Sequence, residues 1–542
     1  MRAAKADSFF EFAKFGNHAV GGEHQAAAMG IPIGDRDGRT YEAGLPLPSG
    51  FHAGPTTLAM TVLRCLILAT ALLCASAVHA QTQSTPATPP PACDYCKEKL
   101  LTLAALRKSL PADWQLATER DPVFGSDMLV VQAGLQHPQT LVLVHGLGQN
   151  GFTDWISVMP QLAQRYHVVT FDFPGFGYSA SPNGKYSPTN YARVLNGVIS
   201  RHAKGRAIVV GHSMGGAVSL RYASSYPALL EKLILVDAAG ILHRTAYVKH
   251  SARVPIAVEQ MPGFMKNAVA RIKDFGNAAV EKVFSFPDPT RVLGANETIW
   301  GSVMGNRTNV NAGMALVEED FSADIPKMQT PTWILWGEAD SVAPLRTGQM
   351  LAYRLPRAQL LSMPGVEHTP MDPATVQIFL PQLERALAGD PQPAPLLEPP
   401  SSVVADLRCT GETDRLYSGH FREVIIQGCS AVKLQNLSAQ RVVILDSMVQ
   451  MLNTRVRSAS GSALEVVNSE LIATAGEFSG DVAISADKAR LDLAGIRLDA
   501  RRTPITVRRF TRVVGSSTEI RSPAYTGTWQ GSREIEMGVL AP

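Results

Sequence analysis

The chain lacks a dominant charge. Fifty Lys and Arg stand against 47 Asp and Glu in 542 residues, a formal net charge of +3. That is not the excess a nucleic-acid or polyanion binder carries. It also lacks an apolar run of the roughly 18 to 20 residues that a membrane helix needs. Cysteine is scarce, and six in the whole chain exclude a disulfide-dense scaffold. Charged residues make up only 18% while hydrophobic ones reach 45%, which excludes wholesale disorder. No metal-ligand or nucleotide motif is found, so no metal and no cofactor is expected. At about 150 residues per domain the length allows two to four domains.

Residues 1–59 are rich in Gly and Ala and have no sustained periodicity. Met60–Ala80 then has the three parts of a secretory signal peptide. Arg64 is the positive region, Cys65–Val78 the apolar region, and Val78-His79-Ala80 the small-x-small cleavage site. The expectation is a true start at Met60, a non-native or unstructured leader before it, and a mature N-terminus at Gln81 in the periplasm or outside the cell. Residues 81–112 read as a Pro/Thr-rich spacer and a short helix. Cys93-Asp-Tyr-Cys96 has no βαβ context to make it a redox pair.

From 113 to 388 short apolar runs alternate with amphipathic helices. The runs are Asp127–Gln132, Thr140–Val144, His167–Phe171, Ala207–Val210, Lys232–Val236, Thr332–Trp336 and Ala358–Ser362. They are rich in Val, Ile and Leu, as strands covered on both faces of a mostly parallel sheet are. Helices fit between them, at Asn190–His202 and Gly216–Ser225, and Val376–Ala388 closes the region. The fold class is α/β, a doubly wound sheet.

The motif Gly211-His-Ser-Met-Gly215 follows one apolar strand and opens a helix. In that context the glycines permit a sharp turn that exposes Ser213 Oγ at a cleft. A serine hydroxyl is a poor nucleophile until an imidazole takes its proton. His368 is placed for this, on a loop after the last strand. His145, His167 and His212 sit in earlier strands or turns and read as structural or cleft-lining. The imidazole needs an acid to hold its tautomer. Asp340, in Gly337-Glu-Ala-Asp340, follows a strand and is the best candidate. Asp237 also ends a strand and is the rival, with Glu338 and Glu367 weaker. Leu141–Val144 leads into His145-Gly-Leu-Gly148, and the backbone N–H groups of Leu147 and Met214 are the expected oxyanion donors.

With Asp172-Phe-Pro-Gly-Phe-Gly-Tyr-Ser179 and Gly365-Val-Glu-His368, these motifs resemble the alpha/beta-hydrolase superfamily in five places and in the right order. The resemblance covers about residues 113 to 388. It implies a triad of Ser213, Asp340 and His368, and it implies a serine hydrolase of the esterase or lipase type. Dehalogenases and many epoxide hydrolases of the superfamily carry Asp where Ser213 stands. Residues 241–321, broken by Pro262, Pro287 and Pro289, resemble a helical cap. Met261, Phe264, Met265, Trp300 and Met304 would line an apolar pocket there or pack the cap onto the sheet.

Residues 389–405 read as a Pro-rich linker, and a cut there is expected to leave two folded pieces. Beyond it, from 406 to 542, short apolar segments such as Val424–Ile426, Val432–Leu434, Val442–Ile444, Leu464–Val466 and Ile505–Val507 alternate with Asn, Ser, Gly and Asp. This texture resembles an all-β domain, a right-handed parallel β-helix or failing that a sandwich. Asn436 and Asn468 would ladder at its corners. Asp446, Asp481, Asp487 and Asp492 read as solvated or turn residues, and Cys409 with Cys429 would staple the first coil.

The leading reading is an exported serine hydrolase acting on a small-molecule ester. The alternatives are a carbon–carbon bond hydrolase or aminopeptidase of the same fold, and a surface protein with a vestigial hydrolase domain. In that last reading the β domain would bind a glycan or a cell-surface partner.

Overall fold

The apolar runs become the middle of one eight-stranded sheet in the computed structural model, which describes residues 94–245, 300, 307–393 and 405–542. A helix, α1 (Asp94–Ser109), leads in. The strands are β1 (Gln115–Arg120), β2 (Asp127–Ala133), β3 (Thr140–Val144), β4 (His167–Phe171), β5 (Ala207–His212), β6 (Leu230–Val236), β7 (Thr332–Gly337) and β8 (Ala358–Met363). Their order is β1-β2-β4-β3-β5-β6-β7-β8. β1 and β2 join antiparallel at one edge, and the pairs from β4 to β8 are parallel. β3, β4 and β5 are buried along their whole length, as strands covered by helices on both sides must be. The edge strand β1 has no apolar run, and nothing in its Gln-Leu-Ala-Thr-Glu-Arg sequence announces it.

The helices are α2 (Pro188–His202), α3 (Met214–Ser225), α4 (Thr308–Glu318), α5 (Leu345–Arg354) and α6 (Val376–Ala388). Ser187 caps α2 by accepting the Asn190 N–H, and Pro188 sits in its first turn. Lys232 donates to the carbonyls of Ala386, Leu387 and Gly389 and so ties β6 to the C-terminal end of α6. Most of the expected cap, with Met261, Phe264, Met265 and Met304, lies outside the described residues. Trp300 is buried and donates from Nε1 to Asn311 Oδ1 on α4 at 2.6 Å. The signal-peptide segment, Cys93 and most of the linker likewise lie outside the described residues.

The C-terminal part is a parallel coil closed by an antiparallel end. Its strands are β9 (Asp406–Thr410), β10 (Leu416–Gln427), β11 (Val432–Leu445), β12 (Met448–Arg457), β13 (Ser462–Val467), β14 (Glu470–Asp487), β15 (Arg490–Val507), β16 (Thr511–Arg521), β17 (Thr526–Ile535) and β18 (Gly538–Val539). Buried residues stack in files along it. Val432 pairs with Val449, Val449 with Leu471, Leu471 with Leu491, and Leu491 with Val513. A second file runs Val424, Val442, Leu464, Ile484, Ile505. Each step is 17 to 22 residues, one turn of a β-helix. The corners stack as well. Asn436, Asn453, Ala475, Gly495 and Ser517 all have positive φ, as do Gly428, Asp446, Asn468 and Lys488. Asn and Gly tolerate that conformation best, which explains the recurring turn residues. Asn453 donates to Asn436, and Asn468 to Asp446. Cys409 and Cys429 are disulfide-bonded in the first coil.

Lys99–Pro542 form one compact unit, and α5 is where the sheet domain meets the coil. Arg346 makes a bidentate pair with Asp492 at 2.9 and 3.1 Å and donates to Thr474 Oγ1. Asp492 is thus buried in this contact, not solvated as its sequence setting implied. Arg354 pairs with Glu519 at 2.5 Å, and Arg497 and Arg521 share that carboxylate. A Cβ on Gly495 would stand 2.6 Å from Met350 Cγ, so only glycine lets the corner approach α5 this closely. Ala494 and Val514 belong to the same apolar cluster as the core of the sheet domain.

Candidate active site

Loops at the C-terminal ends of β3, β5, β7 and β8 meet where the strand order turns from β4 and β3 to β5. In open α/β sheets such a switch point leaves a crevice. Ser213 lies between β5 and α3 at φ 53° and ψ −119°, a strained conformation for a residue with a side chain. The strain is held from several sides. The Ser213 N–H donates to Val236 O, and Ser213 O accepts from Gly216, Ala217 and Ala239. Gly211 and Gly215 make the turn possible. A Cβ on Gly211 would sit 2.4 Å from Gly215 O, and one on Gly215 would sit 2.4 Å from the carbonyls of Val144 and His145.

His368 Nε2 lies 2.9 Å from Ser213 Oγ, and its Nδ1 lies 2.8 Å from Asp340 Oδ2. An ionised carboxylate only accepts, so Nδ1 carries the proton and Nε2 is left to accept from the serine hydroxyl. The Asp340 side chain is buried, and its Oδ1 accepts the N–H groups of Val342 and Ala343. The loops of β7 and β8 are tied by Glu338 N–H to Met363 O and Ala339 N–H to Val366 O. Glu338 accepts from Ser362 and Glu367 is exposed, so neither reaches the imidazole. Asp237 is fully buried at the end of β6, and its Oδ1 accepts Gly337 N–H at 2.8 Å. It makes no hydrogen bond to His368 among the described residues.

The loop that carries Leu147 lies against the serine. A Cβ on Gly146 would be 3.0 Å from Ser213 Cβ. Met214 opens α3, so its N–H is one of the first-turn donors a helix cannot use itself. Neither the Leu147 nor the Met214 N–H has an acceptor among the described residues. His145 fixes this loop. Its Nδ1 donates to Gly146 O at 2.7 Å and its Nε2 accepts Phe173 N–H at 2.9 Å, which requires a neutral ring. Burial lowers its pKa accordingly. His212 donates from Nε2 to His368 O at 2.7 Å. Burial first, and then the neighbouring His368, push His212 down to about 4. It therefore steadies the His368 loop as a neutral ring. His167 is structural, bonded to Gln132 and Thr140 and pushed down to about 4 by burial. Asp172, whose motif was visible but whose role was not, accepts Phe152 N–H and Tyr178 N–H and so pins two loops beside the site.

A sequence model of the alpha/beta hydrolase fold matches residues 139–374. An uncharacterized protein of Mycobacterium tuberculosis is 30% identical over 251 residues, which are 43% of this chain and 72% of that protein. The chain belongs to the alpha/beta hydrolase family. Among its other relatives, Lipase 3 of a Moraxella species is 30% identical over 241 residues, 43% of this chain and 72% of its own length. A 2-hydroxy-6-oxononadienedioate/2-hydroxy-6-oxononatrienedioate hydrolase of Burkholderia vietnamiensis is 29% identical over 235 residues, 41% of this chain and 78% of its own. The alpha/beta hydrolase match ends before the β-helix begins. Among the described residues no group of His, Cys, Asp and Glu could hold a metal ion.

Proposed function

We propose that this hydrolase cleaves carboxylic esters of small molecules through an acyl-enzyme on Ser213. The reading rests on the relay of 2.9 Å from Ser213 Oγ to His368 Nε2 and 2.8 Å from His368 Nδ1 to Asp340 Oδ2. Oγ attacks the ester carbonyl as Nε2 takes its proton. The carbonyl oxygen becomes an oxyanion, which the N–H groups of Leu147 and Met214 stabilise. His368 then protonates the leaving alcohol. A water, deprotonated by the same nitrogen, attacks the acyl carbonyl and frees Ser213. The test is a series of p-nitrophenyl esters of increasing acyl length, with a fluorophosphonate probe in parallel. The expected result is turnover with a clear chain-length optimum and labelling at Ser213. No turnover of any ester by protein that still labels would overturn the ester assignment alone.

The Burkholderia relative supports a second reading, carbon–carbon bond hydrolysis, which uses the same groups. Assay of a 2-hydroxy-6-oxo-dienoate beside the esters separates the two by kcat/KM.

Export is part of the proposal, supported by the pattern Met60–Ala80. N-terminal sequencing of the exported protein should begin at Gln81. A start within residues 1–59 would overturn this.

A further inference from the structure

Among the buried acids that the mechanism above does not use, Asp237 is the one bonded to the strand end that leads to Asp340. Asp237 ends β6 at φ 45°, and its N–H donates to Leu335 O at 3.0 Å, which fixes its backbone beside β7. Oδ1 accepts Gly337 N–H. Oδ2 is buried with no donor among the described residues. Gly337 joins the two acids, since its N–H is held by Asp237 Oδ1 and its carbonyl accepts the Asp340 N–H at 3.3 Å, and the charge of Asp340 is felt at Asp237. Two adjoining carboxylates screened from water cannot both ionise cheaply, and the one without a cation to face takes the proton. Asp340 faces His368, whereas among the described residues Asp237 has a backbone amide on Oδ1 and no cation. Burial, and next the Asp340 charge, hold the Asp237 carboxyl well above the usual carboxylate range. The other ionisable groups on the loops packed here are Glu338, Glu367, His212 and His368. The two glutamates point outward and His212 is committed to His368 O.

We infer that Asp237 is a neutral carboxylic acid that donates its proton in a hydrogen bond to the Asp340 carboxylate and so holds Asp340 toward His368. The inference rests on the proposed triad. Asp237 is a positioning residue, since it touches neither the serine nor the substrate carbonyl, and its proton stays in place through the cycle. The same geometry explains why a second acid ends the strand next to the first.

The experiment uses the full chain with Asp237→Asn and Asp237→Leu. The readouts are kcat and KM on p-nitrophenyl butyrate across pH, the rate of fluorophosphonate labelling, and a thermal melt. Asn keeps an N–H to donate and removes no charge. It should retain kcat within about threefold and leave the acid limb of the pH profile in place. Leu removes the donor and should lower kcat by about 10- to 100-fold at nearly constant KM, with labelling slowed in parallel. A shift of the acid limb to lower pH in Asp237→Asn would mean that the native group is ionised, and would overturn the inference. So would wild-type kinetics in Asp237→Leu. An inactive Asp237→Asn beside an active Asp340→Asn would instead make Asp237 the triad acid. If Asp237→Leu does not fold, the acid limb of Asp237→Asn still decides. Undiminished labelling of Ser213→Ala would overturn the triad and this inference with it, and is told apart from the Asp237 outcomes because it is read in a different variant.

Discussion

Ser213→Ala and His368→Ala should each lower kcat by on the order of 10⁴ to 10⁶, and the double variant should be no worse than either. The two groups act as one relay, so removing either leaves the other with nothing to do. In the proposed mechanism the residual rate would come from binding and from the Leu147 and Met214 N–H groups, which neither change touches. Asp340→Asn should lose somewhat less, because the imidazole keeps its place while its tautomer is less well held. Folding should survive in all three. Ser213 and His368 stand on loops at the strand ends rather than in the apolar clusters, and Ala at position 213 inherits the same strained φ that the surrounding bonds already hold. Steady-state kinetics on a p-nitrophenyl ester measure the loss, and a thermal melt separates it from misfolding. An active Ser213→Ala would overturn the serine-hydrolase reading, and additive losses would overturn the single relay.

The second large effect concerns the contact between α5 and the β-helix. Arg354→Ala should destabilise the protein by about 2 to 4 kcal/mol, because it leaves the poorly exposed Glu519 short of its shortest partner. Arg346→Ala should act in the same direction through Asp492 and Thr474. After a cut within residues 389–405 the two pieces should still co-elute in size-exclusion chromatography at neutral pH. The Arg346→Ala/Arg354→Ala variant should let them separate. Co-elution of the cut double variant would show that apolar packing around Ala494 and Val514 suffices. Acid should weaken the contact as well. Burial pushes the Glu519 carboxyl up, but the Arg354 hydrogen bond and the charges of Arg354 and Arg497 together outweigh it and hold the group down to about 2, against an ordinary value of 4.5. A depressed carboxylate contributes stability that is complete above its unfolded value and is lost as pH falls through its folded one. The contribution should therefore fade between about pH 4.5 and pH 2. Isolated 81–388, if folded but inactive, would make the β-helix part of the active site.

Sequence and structure agree best where burial is complete. Thr140–Val144 and His167–Phe171 appear as strands over the same residues, because a strand covered on both faces is mostly apolar and reads as a continuous run. The relay was legible for a different reason. Gly211-His-Ser-Met-Gly215, Asp340 and His368 each end a recognisable strand, so order along the chain predicts proximity. Other features were not legible. Val432–Leu434 and Val442–Ile444 look like separate strands, but they are parts of one paired segment bent at Asn436, where positive φ turns the corner without ending the ladder. Arg346 and Arg354 look like ordinary solvated positions on an amphipathic helix. The structure shows that this face is covered, by the approach of Gly495 and by the Asp492 and Glu519 carboxylates. The role of Asp237 was hidden for the same kind of reason, since a strand-end aspartate reads alike whether it is charged or neutral.

A coil of parallel strands is an open ladder at both ends, and an open ladder invites another molecule to extend it. Here both ends are blunted. At the far end β17 runs back antiparallel along β16, and β18 folds against β15, so the last full coil has no parallel edge to offer. At the near end β9 is only five residues long, its Asp406 is clamped by Arg422, and its Cys409 is bonded to the next coil. The domain is thereby a solenoid of fixed length, and reduction of the Cys409–Cys429 bond would loosen the near one of its two guards against filament growth.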